Sequence, residues 1–114
     1  MVKLKGRVEL ARALPEPVEG KVYEIISITE TTTAVRGFRG LRMTLKDDKG
    51  NEYATMLWYR EVAGEQSKLG AFIKAFMEYY NGDEDLAYDT ENWIGKRIKI
   101  ISWKQRDRKV EVIE

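Results

Sequence analysis

The chain has 114 residues, of which 43% are hydrophobic and 34% are charged, and its formal net charge is +1. This length suits one domain with a single core, and the hydrophobic share is too high for a disordered chain. Cys and His are both absent, which excludes disulfides, iron–sulfur clusters, thiol catalysis and histidine-based acid–base or metal chemistry.

The start of the chain and its hydropathy give no sign of export or membrane insertion. Residues 1–5 lack the apolar stretch of a signal peptide, and no window approaches the roughly 18 apolar residues of a membrane span. We therefore expect a cytoplasmic protein without a membrane partner. Lys and Glu are frequent whereas Asn and Gln are few, a composition typical of proteins from thermophiles.

The first predicted elements are an extended leader and a strand. Residues 1–20 form the leader, and Pro15 and Pro17 mark its end because proline fixes φ and lacks an amide donor. Residues 4–10 fit either a short edge strand or an arm. Residues 21–29 are rich in β-branched side chains and are predicted to form the first main strand. Regular alternation places one set of side chains on one face of this strand: Val22, Glu24, Ile26 and Ile28. The opposite face carries Tyr23, Ile25, Ser27 and Thr29.

Two further strands follow, joined by a tight hairpin. Residues 31–38 are predicted as a loop or frayed strand end, residues 39–46 as the second strand and residues 52–59 as the third. The connecting residues 47–51 are rich in Asp, Asn and Gly, and Gly50 can take the positive φ that such a turn requires.

One clear helix follows the third strand. Its apolar stripe has helical spacing and comprises Leu69, Phe72, Ile73, Phe76 and Tyr80. Ser67 can cap the start of this helix, and Asn81 and Gly82 can supply its left-handed end. After an acidic link, residues 96–103 and 108–113 are predicted as the last two strands.

The predicted order is three strands, one helix and two strands, which makes the fold mainly β. A five-stranded OB-type Greek-key barrel has this order, with its helix between strands 3 and 4. In such a barrel the helix covers the open end, which explains why a lone helix has one strongly apolar face. A ferredoxin-like fold would need a helix between the first two strands, but residues 31–37 have no helical period. We therefore predict one OB-like domain over residues 1–114.

Two stretches of the chain resemble a known family. Residues 45–58 run as a strand, Asp, a turn, Gly and a strand that ends Thr55-Met56-Leu57-Trp58, and residues 93–98 place a Gly before the fourth strand. This pattern resembles the OB-fold single-stranded DNA-binding proteins of the replication protein A and archaeal SSB group, with one extra residue in the turn at Asn51. The resemblance covers roughly half the chain. It implies a binding groove across the second and third strands, flanked by the loops between strands 1 and 2 and between strands 4 and 5.

Charge is unevenly distributed along the chain. Residues 31–60 carry six basic and three acidic side chains, and residues 96–109 carry seven basic and one acidic. Residues 78–92 carry six acidic side chains and no basic one. This pattern is consistent with a dipolar surface, or with three solvated stretches that share no face.

Aromatic and basic residues are interleaved at the positions that would line the groove. Single-stranded nucleic acid binds where cations follow the phosphates and aromatic rings stack on bases. The candidates for phosphate contact are Arg36, Arg39, Arg42, Arg60, Lys104, Arg106 and Arg108. The candidates for base stacking are Trp58 and Trp103, together with Phe38 and Tyr53.

Each candidate also has a purely structural interpretation. Either Leu57 or Trp58 must face the core, and parity favours Leu57. Trp103 could close the barrel end, and Phe38 could turn inward. Trp93, at the turn before a strand, is predicted to pack in the core. The arginines on the second strand could form an ordinary solvated face.

Three other chemistries are disfavoured. The acidic residues 83–91 lack the spacing and central Gly of an EF-hand, which favours a solvated linker over a cation site. Asp47, Asp48 and Lys49 crowd a turn as in any hairpin, although a nuclease would also use paired carboxylates and a lysine. Residues 37–40 have two glycines and no following helix, so they do not form a phosphate-binding loop.

The sequence therefore predicts a protein that binds single-stranded DNA without catalysis, cofactor or metal. RNA binding by the same barrel is one alternative, because the 2′-hydroxyl is read by only a few local contacts. A protein-interaction module that uses the barrel face or the acidic segment is the other. The oligomeric state is open, since an exposed first or last strand could pair between copies.

Overall fold

The structure is a computed structural model that describes residues 14–32, 39–59 and 67–114. Its strands are β1 Val22–Thr32, β2 Arg39–Lys46, β3 Glu52–Trp58, β4 Arg97–Lys104 and β5 Asp107–Val112. Its helices are α1 Lys68–Tyr79 and α2 Glu84–Ala87, and a 3₁₀ turn follows at Thr90–Asn92. β1 extends to Thr32, beyond its predicted end, and the predicted acidic link contains α2 and the 3₁₀ turn.

The strands form one antiparallel sheet in the order β3-β2-β1-β4-β5. Within the part of the chain that the structure describes, this confirms a mainly β fold with five strands and one long helix. Among the described residues no pairing joins β3 to β5, so the sheet is open and the predicted barrel closure is not confirmed. α1 nevertheless packs against both outer strands, β5 and β3.

Two β-bulges interrupt the alternation predicted for β1 and β4. The register shifts between Ile25 and Ser27 in β1 and between Ile100 and Ser102 in β4. Ile25 is buried, and the next side chain of β1 to pack against the core is Ile28. In β4 the same change of parity follows Ile100. The strict alternation is therefore wrong beyond Ile25, because a bulge adds one residue and increases the local bend and twist of the strand.

The described part of the leader, residues 14–20, connects the two sides of the open sheet. The Ala54 amide of β3 donates to the Pro15 carbonyl at 3.0 Å, and the Gly20 amide donates to the Ile100 carbonyl of β4 at 2.7 Å. Between these bonds Pro17 is buried. The predicted edge strand or arm at residues 4–10 lies outside the described residues.

α1 forms as the sequence predicts and covers one side of the core. The Ser67 side chain accepts a hydrogen bond from the Gly70 amide at 3.0 Å, which caps the helix start. Asn81 and Gly82 follow the helix with positive φ angles of 55° and 82°. The buried face of α1 consists of Leu69, Gly70, Ala71, Phe72, Ala75 and Phe76.

Trp93 packs beneath α1, which confirms its predicted place in the core. It is 1% exposed, and its indole lies parallel to the Phe76 ring with 4.8 Å between ring centroids. Its Nε1 donates to the Ala87 carbonyl at 2.7 Å. Because a buried indole needs a partner for its N–H, this bond couples the position of α2 to the core.

Candidate nucleic-acid interface

The outer face of β2 and β3 carries an exposed tryptophan and an arginine. Gly40 lies opposite Trp58, and Arg42 lies opposite Met56. Because side chains alternate along a strand, these four residues share the face turned away from Leu41 and Leu57, which are both buried. Trp58 is 39% exposed, and Arg42 is also exposed. The parity prediction that Leu57 packs inward and Trp58 outward is confirmed.

The Trp58 indole lies against the backbone of Gly40. A Cβ atom built on Gly40 would approach Trp58 Cε3 to 2.8 Å, closer than van der Waals contact allows. Gly40 is therefore required by the close approach of the ring and of the β3 backbone, whose Leu57 carbonyl oxygen would lie 3.0 Å from that Cβ, and not by an unusual backbone angle. This arrangement fixes the ring across β2 and leaves part of it open to solvent.

A groove of about 240 Å³ lies beside Trp58, between β3 and the β4–β5 hairpin. Its lining residues are Met56, Trp58, Ser67, Lys68, Leu69, Gln105 and Arg108. Two of these are basic, and among the described lining residues none is acidic. The structure thus brings Trp58 of β3 and Arg108 of β5 into one groove, and Arg42 lies on the adjoining strand β2.

Trp103 is half-buried and differs from Trp58 in its surroundings. After the β4 bulge it packs edge-on against Phe72 of α1, with 6.1 Å between centroids. Lys68 Nζ and the Arg108 guanidinium carbon lie 5.9 and 5.8 Å from the Trp103 ring centroid. Such distances favour cation–π attraction, so Trp103 holds these two cations beside the groove.

Tyr53 lies on the inner face of β3, away from Trp58. Its ring packs edge-on against Tyr23, with 4.9 Å between centroids, and its hydroxyl donates to Asp47 Oδ2 at 3.1 Å. The hydrogen bond to the Asp47 carboxylate raises the pKa of Tyr53, and desolvation raises it further. Desolvation raises the pKa of Asp47, but hydrogen bonds from Asn51, Tyr53 and Lys49 outweigh it and leave that pKa below its ordinary value. Tyr53 is therefore a β3 residue whose hydroxyl is bonded to the β2–β3 turn.

The remaining candidate residues fall into two groups. Arg39, at the start of β2, and Lys104 and Arg106, at the β4–β5 hairpin, are all exposed. Arg106 adopts a positive φ of 68° in this hairpin. Arg36, Phe38 and Arg60 lie outside the described residues.

A separate acidic cleft lies near α2 and the start of the 3₁₀ turn. Its lining residues are Ile28, Glu30, Leu41, Tyr59, Glu84, Asp85, Tyr88, Asp89, Thr90 and Glu91. Burial and the nearby Glu30 carboxylate, which accepts a 3.4 Å hydrogen bond, raise the pKa of Tyr59. Asp83 and Asp89 cap α2 and the 3₁₀ turn. Over residues 14–32, 39–59 and 67–114 no three acidic side chains could together hold a metal ion.

Sequence reasoning missed Lys68, and it identified the acidic segment 83–91 without the cleft that this segment forms with β1 and β2. The signal for Lys68 was its place directly after the capping Ser67, at the start of the predicted helix. No signal in the sequence indicated the contact of this segment with β1 and β2, because the residues of the two strands are more than forty positions away.

A comparison with protein-family models found no match, and a comparison with curated proteins found no significant similarity. None of the helices in the described residues has the length and apolar character needed to cross a membrane.

Proposed function

We propose that this protein binds single-stranded nucleic acid, most favourably DNA, on the outer face of β2 and β3 and in the adjoining groove. The proposed role is binding without catalysis. The observation that carries the proposal is the Trp58 indole, held against Gly40 and partly open to solvent. Arg42 lies on the neighbouring strand β2, and Arg108 of β5 lines the same groove as Trp58.

The physical basis of binding is stacking combined with phosphate contact. A base that stacks on the open part of Trp58 would contribute about 1–3 kcal/mol. Arg42 is a diagonal neighbour of Trp58 across the β2–β3 pair, at roughly 7–8 Å between Cα atoms, a distance that its side chain can span. Contacts of this kind carry little base preference, so we propose binding that is largely independent of sequence.

The proposal includes an OB-type arrangement of the sheet. Three features support it: the bulges that bend β1 and β4, the leader that connects β3 to β4, and the packing of α1 on both outer strands. In an OB fold the outer face of strands 2 and 3 is the nucleic-acid surface. Arg36, Phe38 and Arg60 belong to the proposed interface because they are close in the chain to Arg39 and Trp58.

The test is fluorescence anisotropy of a labelled oligothymidine. We expect Trp58→Ala to weaken binding by about 1–3 kcal/mol because it removes the stacking surface. Tyr88→Ala is the matched control, since Tyr88 is 59% exposed but lies in the acidic cleft. Unchanged binding by Trp58→Ala would contradict the proposal. An affinity insensitive to salt would also contradict it, because binding through phosphate contacts weakens as the salt concentration rises.

RNA is the alternative ligand of the same surface. Stacking on Trp58 and contacts to phosphate do not distinguish the sugars, whereas a contact to the 2′-hydroxyl does. Competition between DNA and RNA oligomers of equal length and sequence separates the two. If RNA competed more strongly than DNA, RNA would replace DNA as the proposed ligand.

The acidic cleft supports a second candidate function, binding of a protein partner. Five carboxylates surround the largely exposed Tyr88 ring. A surface of this charge repels nucleic acid and suits a basic partner. A pull-down from nuclease-treated lysate would favour this function if a captured protein were retained by the wild type and lost by Tyr88→Ala.

A further inference from the structure

The leader places two carboxylates on hydrogen-bond donors beside the groove. Glu16 Oε1 accepts from Lys68 Nζ at 2.8 Å, and Glu16 Oε2 accepts from Trp103 Nε1 at 3.2 Å. Glu19 Oε1 accepts from the Trp103 main-chain amide at 2.9 Å. The donors come from α1 and β4, so two distant parts of the chain converge on one anionic segment.

The donors at Glu16 are continuous with the proposed interface. Lys68 lines the groove together with Trp58 and Arg108. The cations of Lys68 and Arg108 both lie within 6 Å of the Trp103 ring centroid. A nucleic-acid strand that stacks on Trp58 and enters the groove would therefore bring its phosphates near Lys68, to which the Glu16 carboxylate is bonded.

Carboxylate and phosphodiester groups present similar acceptors. Each offers two oxygens that share a negative charge, and each forms strong hydrogen bonds to ammonium and N–H donors. Half of the Glu16 side chain is solvated, with 47% exposed, and the Lys68 side chain is 26% exposed. Ion pairs at such positions contribute little to stability, so another anion can replace the glutamate at small cost.

We propose that Lys68 and the two N–H groups of Trp103 form a phosphate subsite, which the leader glutamates occupy in the free protein. A phosphodiester of the bound strand displaces Glu16 from Lys68 and Trp103 Nε1, and the leader thereby competes with the ligand. This inference rests on the proposed function and adds a specific phosphate contact to it. It also makes Glu16 a determinant of affinity without any contact to nucleic acid.

The first test compares Glu16→Gln with Glu78→Gln by anisotropy of a labelled oligothymidine. Both variants lose one negative charge, but Glu78 is exposed on α1 away from the groove. We expect Glu16→Gln to bind about three- to tenfold more tightly than the wild type, because the competing charge is removed. Glu78→Gln is expected to change affinity less than about twofold, as a charge far from the strand should. Equal affinities of the two variants would overturn the subsite.

The second test uses Lys68→Gln, alone and combined with Glu16→Gln. The salt slope is the slope of the logarithm of the binding constant against the logarithm of the salt concentration. Loss of a lysine that contacts phosphate reduces the magnitude of this slope by about 0.7. We expect this reduction, and we expect the gain from Glu16→Gln to disappear in the double variant. A gain that persists without Lys68 would contradict the subsite. Thermal unfolding confirms that each variant is folded, and Glu19→Gln provides a second variant expected to change affinity in the same direction as Glu16→Gln.

The outcomes separate this inference from the proposed function. Loss of binding by Trp58→Ala with no gain from Glu16→Gln would reject the subsite alone. No binding by the wild type would reject the proposed function and the subsite together. A gain from Glu16→Gln that depends on Lys68 supports the subsite.

Discussion

Trp58 and Trp93 place the same side chain in opposite surroundings. Trp93 is 1% exposed, stacks on Phe76 and donates its N–H to Ala87. Trp58 is 39% exposed and rests on the backbone of Gly40. Trp58 is exposed because β3 directs its side chain outward, and the lack of a side chain at Gly40 leaves room for the ring. We therefore expect Trp93 to determine stability and Trp58 to determine binding.

Removal of the Trp93 side chain tests the structural half of this contrast. We expect Trp93→Ala to lower the free energy of unfolding by about 3–5 kcal/mol, because it leaves a cavity beneath α1 and an unsatisfied Ala87 carbonyl. Denaturant unfolding followed by circular dichroism measures this change. Trp58→Ala is the matched control and should cost far less, since its ring is partly solvated. Similar losses for the two variants would show that Trp58 is also a core residue.

A side chain at Gly40 tests whether the glycine holds the Trp58 ring in place. Gly40→Ala would bring Cβ to 2.8 Å from Trp58 Cε3, so the indole must move. We expect a loss of about 1–3 kcal/mol in stability, as for other overpacked sites, and weaker oligothymidine binding. The binding loss should nearly vanish in the Trp58→Ala background, where no ring is displaced. A full binding loss in that background would mean that Gly40 acts independently of the ring.

Tyr53 and Trp58 lie on opposite faces of β3, so Tyr53 provides a second comparison with the exposed tryptophan. Because the pKa of Asp47 is lowered in the folded protein, the unfolded chain binds more protons in acid, and stability falls as the pH drops below about 4. Because the pKa of Tyr53 is raised, the unfolded chain loses its proton first, and stability falls above about pH 10.

Melting temperatures of the wild type and Tyr53→Phe across this pH range measure the Tyr53 contribution. We expect Tyr53→Phe to remove its share of the alkaline decline and to leave oligothymidine binding unchanged. Asp47→Asn should reduce the acidic decline. Weaker binding by folded Tyr53→Phe would show that Tyr53 takes part in the interface.

Local signals in the sequence were sufficient for the helix and for the hairpin. The apolar stripe, Ser67 and Asn81 with Gly82 predicted α1 and its ends, because helix period and capping are local properties. Parity along β3 also predicted that Leu57 would be buried and Trp58 exposed. These predictions depend only on neighbours a few residues away.

Contacts between distant parts of the chain could not be predicted in this way. Ile25-Ile26 and Ile100-Ile101 are apolar pairs in which either residue could face inward, so the pattern did not reveal the bulges. Glu16 and Trp103 are 87 residues apart, and neither has a local pattern that indicates the other. Tyr53 was predicted to stack because of its residue type, and the sequence did not reveal that its side chain packs against Tyr23 and bonds to Asp47.

Replacement of Arg42, a single cation on the exposed face, is expected to have the smallest effect of these variants. We expect Arg42→Gln to change the free energy of unfolding by less than about 0.5 kcal/mol, because its side chain is solvated. It should reduce the salt slope of oligothymidine binding by about 0.7 and weaken binding at low salt, since one phosphate contact is lost. Lys99→Gln is the matched control, because Lys99 is exposed on β4 outside the groove. If both variants reduced the slope equally, the response would reflect net charge, and the outer face of β2 would have no special role. A reduction confined to Arg42→Gln would place the bound phosphates along the same face as Trp58, where stacking and charge act on one strand of nucleic acid.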